Sequence, residues 1–486
     1  MYFRLDKTAL AAVALAPAIQ LSSAETILGA YVFHRHGDRT PKSIPPASLT
    51  DLGYVEVLDR GTYYHSRYIA SDSPTQILGI QSEIVKLSQL AVTSPSDSVL
   101  QNSAAGWLQG LYPPAGAASN QTLRNGTTIE APLNGFQLIP IAIQSSGSGS
   151  ESNSWLQSAA NCQNADISSN EFFSSDLYNS YESSTKSLYQ GLSPVVNATF
   201  SESQLSFLNA YTIWDLLNVG MIHNSTTTYP ALSNVSDDTM NELFQLANIH
   251  EFNLAYNESS TIRAISGMTL ASQVLTALNK TITGNGKSPS LNVQFGAYAT
   301  FLSYFGLANL TAVNADFFGI PDYASSMTWE LVTNATVANA SSFPSTSDIS
   351  VRFLFNNGTS AASDNLTAFP LFGGSALELP WDDFVTSTQK FAVTGQEQWC
   401  QVCGNTTGIC ASSSSSSASA SSTSSSGSGM SNAVAGVIGA MVTLGVVLGL
   451  EVLGLLAGGL RVVRKRSLAA AGAAASSSAV NAGDEK

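Results

Sequence analysis

The residues that most constrain the fold are Thr26 to Phe33, TILGAYVF, an unbroken apolar run that ends abruptly in His34-Arg35-His36-Gly37-Asp38-Arg39-Thr40-Pro41. A strand without polar alternation has no face to offer water, so it suits the interior of a parallel sheet covered on both sides. The stretch that follows, SLTDLGYVEVLDRGTYYHSRYIA, predicts a helix capped by Ser48 or Thr50, with Leu52, Val55, Leu58 and Ile69 along one side. Strand, polar turn and helix open an α/β unit. Leu291 to Phe295 predicts another strand, turning through Gly296 into a helix that ends before Asn309. Ser350 to Phe355 predicts a third, closed by an Asn-Gly turn. Between Gly135 and Leu275 the pattern is helical and strands are scarce. The simplest architecture is an α/β core capped by a helical insertion over approximately 135–275.

Both ends read as targeting segments. Arg4 and Lys7 precede a short apolar stretch, Thr8 to Leu21, and small residues follow, which predicts a signal peptide over 1–24. About a dozen Asn-x-Ser/Thr sequons between Asn120 and Asn405 suit a glycosylated exterior. After the folded domain, 25–411, composition changes to a Ser-rich stalk, 412–432. A Gly/Val/Leu-rich stretch, 433–460, is long enough to cross a bilayer, and Arg461, Arg464, Lys465 and Arg466 begin a tail, 461–486. The expectation is a type I single-pass protein of the plasma membrane or a secretory-pathway membrane, its domain outside. A net charge of −14 excludes nucleic acid and anionic membrane surfaces as partners of the folded domain.

Four cysteines, Cys162, Cys400, Cys403 and Cys410, in an oxidising compartment predict two disulfides rather than a metal site. The expected pairing is Cys403 with Cys410 and Cys162 with Cys400, one of three that the count allows. No ligand cluster implies a metal, and no cofactor is implied.

Two forked guanidiniums flanking a histidine form a clamp for phosphate oxygens, and a neutral imidazole between them is a nucleophile toward phosphorus. The string Arg35 to Pro41, RHGDRTP, resembles the RHGxRxP signature of the histidine acid phosphatases, the branch of the histidine phosphatase superfamily that includes acid phosphatases and phytases. Segments such as SAAGWLQGLYPP, PLNGFQLIPI and IRAISGMTLASQVL extend the resemblance over nearly all of Glu25 to Cys410. It implies a mixed α/β sandwich core of the phosphoglycerate-mutase-like kind with an α-helical cap. It also implies His36 as the residue that becomes phosphorylated, with Arg35 and Arg39 on the phosphate.

Two departures follow from the same resemblance. Ser98 or Val99 falls where the family carries a further phosphate-binding arginine, and Ala297 and Tyr298 fall where it carries a His-Asp pair that binds phosphate and protonates the leaving group. None of the five histidines is followed by aspartate. Asp97 and the pair His250-Glu251 are candidate substitute acids, with a solvated loop and an exposed helix face as the plainer readings. Two functions stay open. One is a membrane-anchored phosphomonoesterase of weakened activity, hydrolysing small phosphate esters through His36. The other is an inactive relative that binds a phosphorylated or anionic ligand.

Overall fold

The computed structural model describes residues 25–144, 161–224, 230–358 and 365–411. The expected leader, Ser-rich stalk, membrane span and tail lie outside the described residues. Among the described residues no helix is long and apolar enough to cross a membrane.

One mixed sheet of eight strands organises the fold: β1 Thr26–Arg35, β2 Leu90–Pro95, β3 Ala142–Gln144, β4 Leu291–Gly296, β5 Ser326–Thr333, β6 Ile349–Asn356, β7 Thr367–Phe369 and β8 Glu378–Pro380. Their order is β8-β6-β5-β1-β4-β2-β3, with β7 on β6. The apolar run is thus interior, parallel to β4 and antiparallel to β5. Strand β5, SMTWELVT, alternates like a half-exposed strand, which hides its place beside β1. Its polar side chains are buried and satisfied. The Tyr64 hydroxyl bonds Ser326 and Thr328 at 2.8 and 2.7 Å, while Arg67 and Arg352 both reach Glu330.

Helices α1 (Asp51–Tyr64) and α2 (Ser98–Leu111) cover one face of the sheet, burying Val57, Tyr64 and Trp107 against Ala30, Val32 and Val293. Thr50 caps α1 by accepting the Gly53 N–H at 3.0 Å. The expected apolar face is corrected in part: Ile69 is buried and Leu58 half-buried, but Leu52 and Val55 are exposed, and the buried side runs Gly53, Val57, Gly61 and Tyr64. Close helix packing is the reason, since a Cβ added at Gly61 would stand 1.9 Å from the Trp107 carbonyl oxygen.

Between β3 and β4 the described residues form only helices and turns. Helices α3 (Ala210–His223) and α4 (Asp237–Ala255) share a separate apolar cluster with shorter ones, including Phe207, Leu217 and Leu243. The other sheet face carries α5 (Ile265–Gly284) and α6 (Tyr298–Leu307), whose Leu270, Val274 and Phe301 pack on Leu28, Tyr31 and Phe33.

The disulfides join Cys162 to Cys403 and Cys400 to Cys410, which corrects the expected pairing. Cys400 and Cys403 lie one turn apart on α7 (Gly395–Cys403). Gly404, at φ 69°, ends that helix and returns the chain so that Cys410 comes beside Cys400, with a Cα separation of 5.5 Å. Cys403 is left facing Cys162 at 4.7 Å.

Candidate active site

Because β1 and β4 are parallel and register Arg35 opposite Gly296, their ends deliver two loops to one edge of the sheet. One loop is Arg35 to Pro41; the other is Ala297 and the start of α6. Crevices outside the carboxyl ends of such strands are where open α/β sheets place their ligands. The first loop lies flat on α1, since a Cβ at Gly37 would meet the Gly53 carbonyl oxygen at 2.2 Å.

His36 sits at the centre, almost wholly buried. Its Nδ1 is 2.8 Å from the Gly37 carbonyl oxygen, an acceptor only, so Nδ1 carries the proton and the lone pair is on Nε2. Burial, reinforced by Arg35 and Arg39, holds its pKa well below the usual histidine value, so the ring stays neutral in mild acid. His34, in the same motif, is structural. Its Nδ1 faces the Arg35 carbonyl at 2.6 Å, Trp107 and Phe295 enclose its ring, and burial pushes its pKa down to about 3.

The two arginines differ. Arg35 donates to the Pro321 carbonyl, and its guanidinium lies between the rings of Tyr323 and Tyr298, 4.7 and 5.4 Å from their centroids. Its Nε is buried without a partner. It also lines a cavity of about 300 Å3 with Trp214, Asp322 and Tyr323. Arg39 instead gives both terminal nitrogens to Asp215, at 2.9 and 3.1 Å, with further bonds to the Tyr211 hydroxyl and the Thr40 carbonyl. Asp215 also accepts the Lys42 N–H at 2.8 Å. Sequence reasoning missed Asp215, although an acid within the apolar helix AYTIWDLLN is the signal that marks it. Tyr323 was missed as well. Its ring covers His36 at 5.6 Å, and nothing in its local sequence reveals this.

Two further acids, Asp38 and Glu56, hold the loop. Asp38 is fully buried and pairs with His223 Nε2 at 2.6 Å. Its N–H donates to Glu56 at 2.7 Å, and burial raises Glu56 to about 7.

Val99 is buried in the first turn of α2, and Asp97 is the cap of that helix, accepting the Leu100 N–H at 3.0 Å. Ala297 caps α6 and Tyr298 begins it. The Tyr298 hydroxyl donates to Glu251 at 2.7 Å, and Glu251 meets His250 Nδ1 at 2.8 Å. The plainer reading of His250-Glu251 as an exposed face is corrected, because His250 is buried and Glu251 half-buried. Burial first, then Glu251, holds the Tyr298 hydroxyl well above the ordinary tyrosine value. Lys42 and Tyr298 border a further cavity of about 470 Å3. Among the described residues no cluster of His, Cys, Asp and Glu is placed to hold a metal ion.

The family model of the histidine phosphatase superfamily (branch 2) matches residues 43–356, beginning just downstream of the Arg35 to Pro41 string. Among solved structures, the phytase from Citrobacter braakii matches 78% of this chain and 99% of its own at a TM-score of 0.51 and 12% identity. The Klebsiella sp. ASR1 phytase matches 77% and 97% at 0.50, and the apo phytase of Hafnia alvei 79% and 99% at 0.50, each at 12% identity. This likeness concerns the fold. No curated protein sequence matches the chain.

Proposed function

Because this chain belongs to the histidine phosphatase superfamily (branch 2), we propose that it is a slow phosphomonoesterase that forms a phosphohistidine at His36. The observation that carries this reading is the bond between His36 Nδ1 and the Gly37 carbonyl, which leaves Nε2 as the free, neutral base. In the first step Nε2 bonds to phosphorus and the ester P–O bond breaks, its electron pair leaving with the alkoxide. Arg35 holds the non-bridging oxygens. Water then attacks the phosphohistidine, the P–N bond breaks, and inorganic phosphate departs with the imidazole restored.

Proton delivery to the alkoxide is the weak point. Tyr298, with its pKa held high, is a poor acid, so esters of acidic alcohols and phenols are the preferred substrates. Hydrolysis of an aryl phosphate at acidic pH by the full-length protein and by His36→Ala tests the assignment. A loss in the variant supports it, and equal rates overturn it.

A second reading, an anion-binding protein without turnover, is favoured by the closed Arg39–Asp215 pair and by the Tyr323 ring over His36. The composition of residues 1–24 and 433–466 supports placing the domain outside a membrane, anchored by one C-terminal span.

A further inference from the structure

Across α3 from the cavity beside Arg35 lies another, of about 560 Å3, with which it shares no lining residue. Leu217 and Gly220 of that helix line the one, whereas Trp214 and Asn218 line the other. Thr40 and Pro41 also border the larger cavity, so it sits directly behind the Arg35 to Pro41 loop. Its volume falls in the range of small-molecule sites, about 300–1,000 Å3. The phosphoryl chemistry makes no use of it.

The walls are apolar. Val195 and Val196, from a short helix Ser193–Val196, join Leu217 and Val219, and all four are buried. Ile44, 52% exposed, completes this lining. None of the described lining residues is Asp, Glu, Lys or Arg, so a charged ligand would shed its water there without a counter-charge.

The polar lining is nearly all engaged or uncharged. The Thr40 hydroxyl accepts the Ser48 N–H at 2.9 Å, while that of Thr50 donates to Asp38 and accepts the Gly53 N–H. Thr199 and Asn224 are uncharged. His223 differs. Its Nε2 faces Asp38 Oδ2 at 2.6 Å, an acceptor, so Nε2 carries the proton. Its Nδ1 meets no partner among the described residues, and the side chain is 32% exposed. In the neutral ring that nitrogen holds a lone pair and accepts a hydrogen bond. Behind the imidazole Asp38 is fully buried, so a carboxylate placed against Nδ1 would meet like charge.

We propose that this cavity is a second ligand site, binding an uncharged amphiphile whose apolar chain lies along Val195, Val196, Leu217 and Val219 and whose hydroxyl donates to His223 Nδ1. The site is independent of the phosphate reading, since neither Arg35 nor His36 lines it.

Calorimetric titration of the full-length protein near neutral pH tests the assignment. The probes are n-hexanol, n-octanol, n-decanol, the methyl ether of n-decanol, and decanoate. Each pair of methylenes added to the alcohol should tighten binding by about tenfold. The ether, which has no O–H to donate, and decanoate, which brings a charge, should each bind at least about tenfold more weakly than n-decanol. Ala198→Phe brings a ring into the cavity from an exposed position, and Ile44→Ala removes an exposed part of its wall, so the fold tolerates both. The first should abolish n-decanol binding and the second weaken it by about tenfold. Absence of saturable n-decanol binding, an affinity indifferent to chain length, ether or decanoate binding as tight as that of n-decanol, or full n-decanol affinity in either variant overturns the proposal.

Discussion

The parallel strands β1 and β4 bring two halves of one site to the same edge, and those halves have fared differently. At the end of β1 the proposed nucleophile His36 keeps its Nδ1 on the Gly37 carbonyl, while Arg39 is paired with Asp215. At the end of β4 stand Ala297 and Tyr298, the positions where, on the reading proposed above, a His-Asp pair would bind phosphate and protonate the leaving group. The difference teaches where the fold depends on the chemistry. His36 is oriented by a backbone carbonyl and neutralised by burial, features that the sheet and α1 enforce whatever the turnover. An acid at position 298 is only a side chain at a helix start. Tyr298 is a packing residue there, 4.8 Å from the Tyr211 ring and bonded to Glu251.

The contrast is broken most directly by changing the leaving group. If the acid half is absent, kcat/KM for an aryl phosphate should exceed that for an alkyl phosphate by about 10²–10⁴-fold, the usual worth of general acid catalysis. Comparable values would show that another group donates the proton. The next effect in size concerns the Arg39–Asp215 pair, which is buried on both sides. Asp215→Asn strands the guanidinium and should cost about 3–5 kcal/mol in denaturant unfolding. The same variant should bind phosphate more tightly, because Arg39 is released toward it. Weaker phosphate binding would mean that Asp215 positions Arg39 rather than silences it.

Rebuilding the missing half sharpens the comparison further. Ala297→His with Tyr298→Asp should raise alkyl phosphate turnover by about tenfold or more. No gain would place the acid elsewhere, with Glu251 the nearest candidate.

The smallest effect is on stability against pH. His34 is neutral in the folded state down to about 3, whereas its unfolded form takes up a proton near 6.5. Between those values the unfolded chain binds more protons, so stability falls as pH falls, by about 1.4 kcal/mol per unit for one group. Glu56, raised to about 7 from 4.5, acts with the opposite sign between those two values. His34→Leu should therefore flatten the wild-type slope below pH 6.5 by one proton, read from denaturant unfolding at several pH values. An unchanged slope would show that His34 charges in the folded state.

Much of this was legible in the sequence where a local pattern matched its surroundings. The run Thr26 to Phe33, the Gly296 turn and the Arg35 to Pro41 string all lie where their patterns place them. Long-range pairing was not legible. Strand β5 reads as a surface strand because Ser326, Thr328 and Glu330 look solvated, yet each is satisfied by residues some 260 positions away, such as Tyr64 and Arg67. The same holds for Asp215 on Arg39 and for Cys162 on Cys403, separated by 176 and 241 positions. On α1, Gly53 and Gly61 share the packed side with Val57 and Tyr64, because at those two positions the backbones approach too closely for a side chain. Periodicity in hydrophobicity carries no signal for that.

The most direct measurement is to react the full-length protein with an aryl phosphate, quench in alkali, and map the phosphate by mass spectrometry of the peptide containing His36. The account predicts a phosphoryl group on His36 Nε2 that appears within one turnover and is absent from His36→Ala. Hydrolysis proceeding with the phosphate on another residue, or on none, would contradict it.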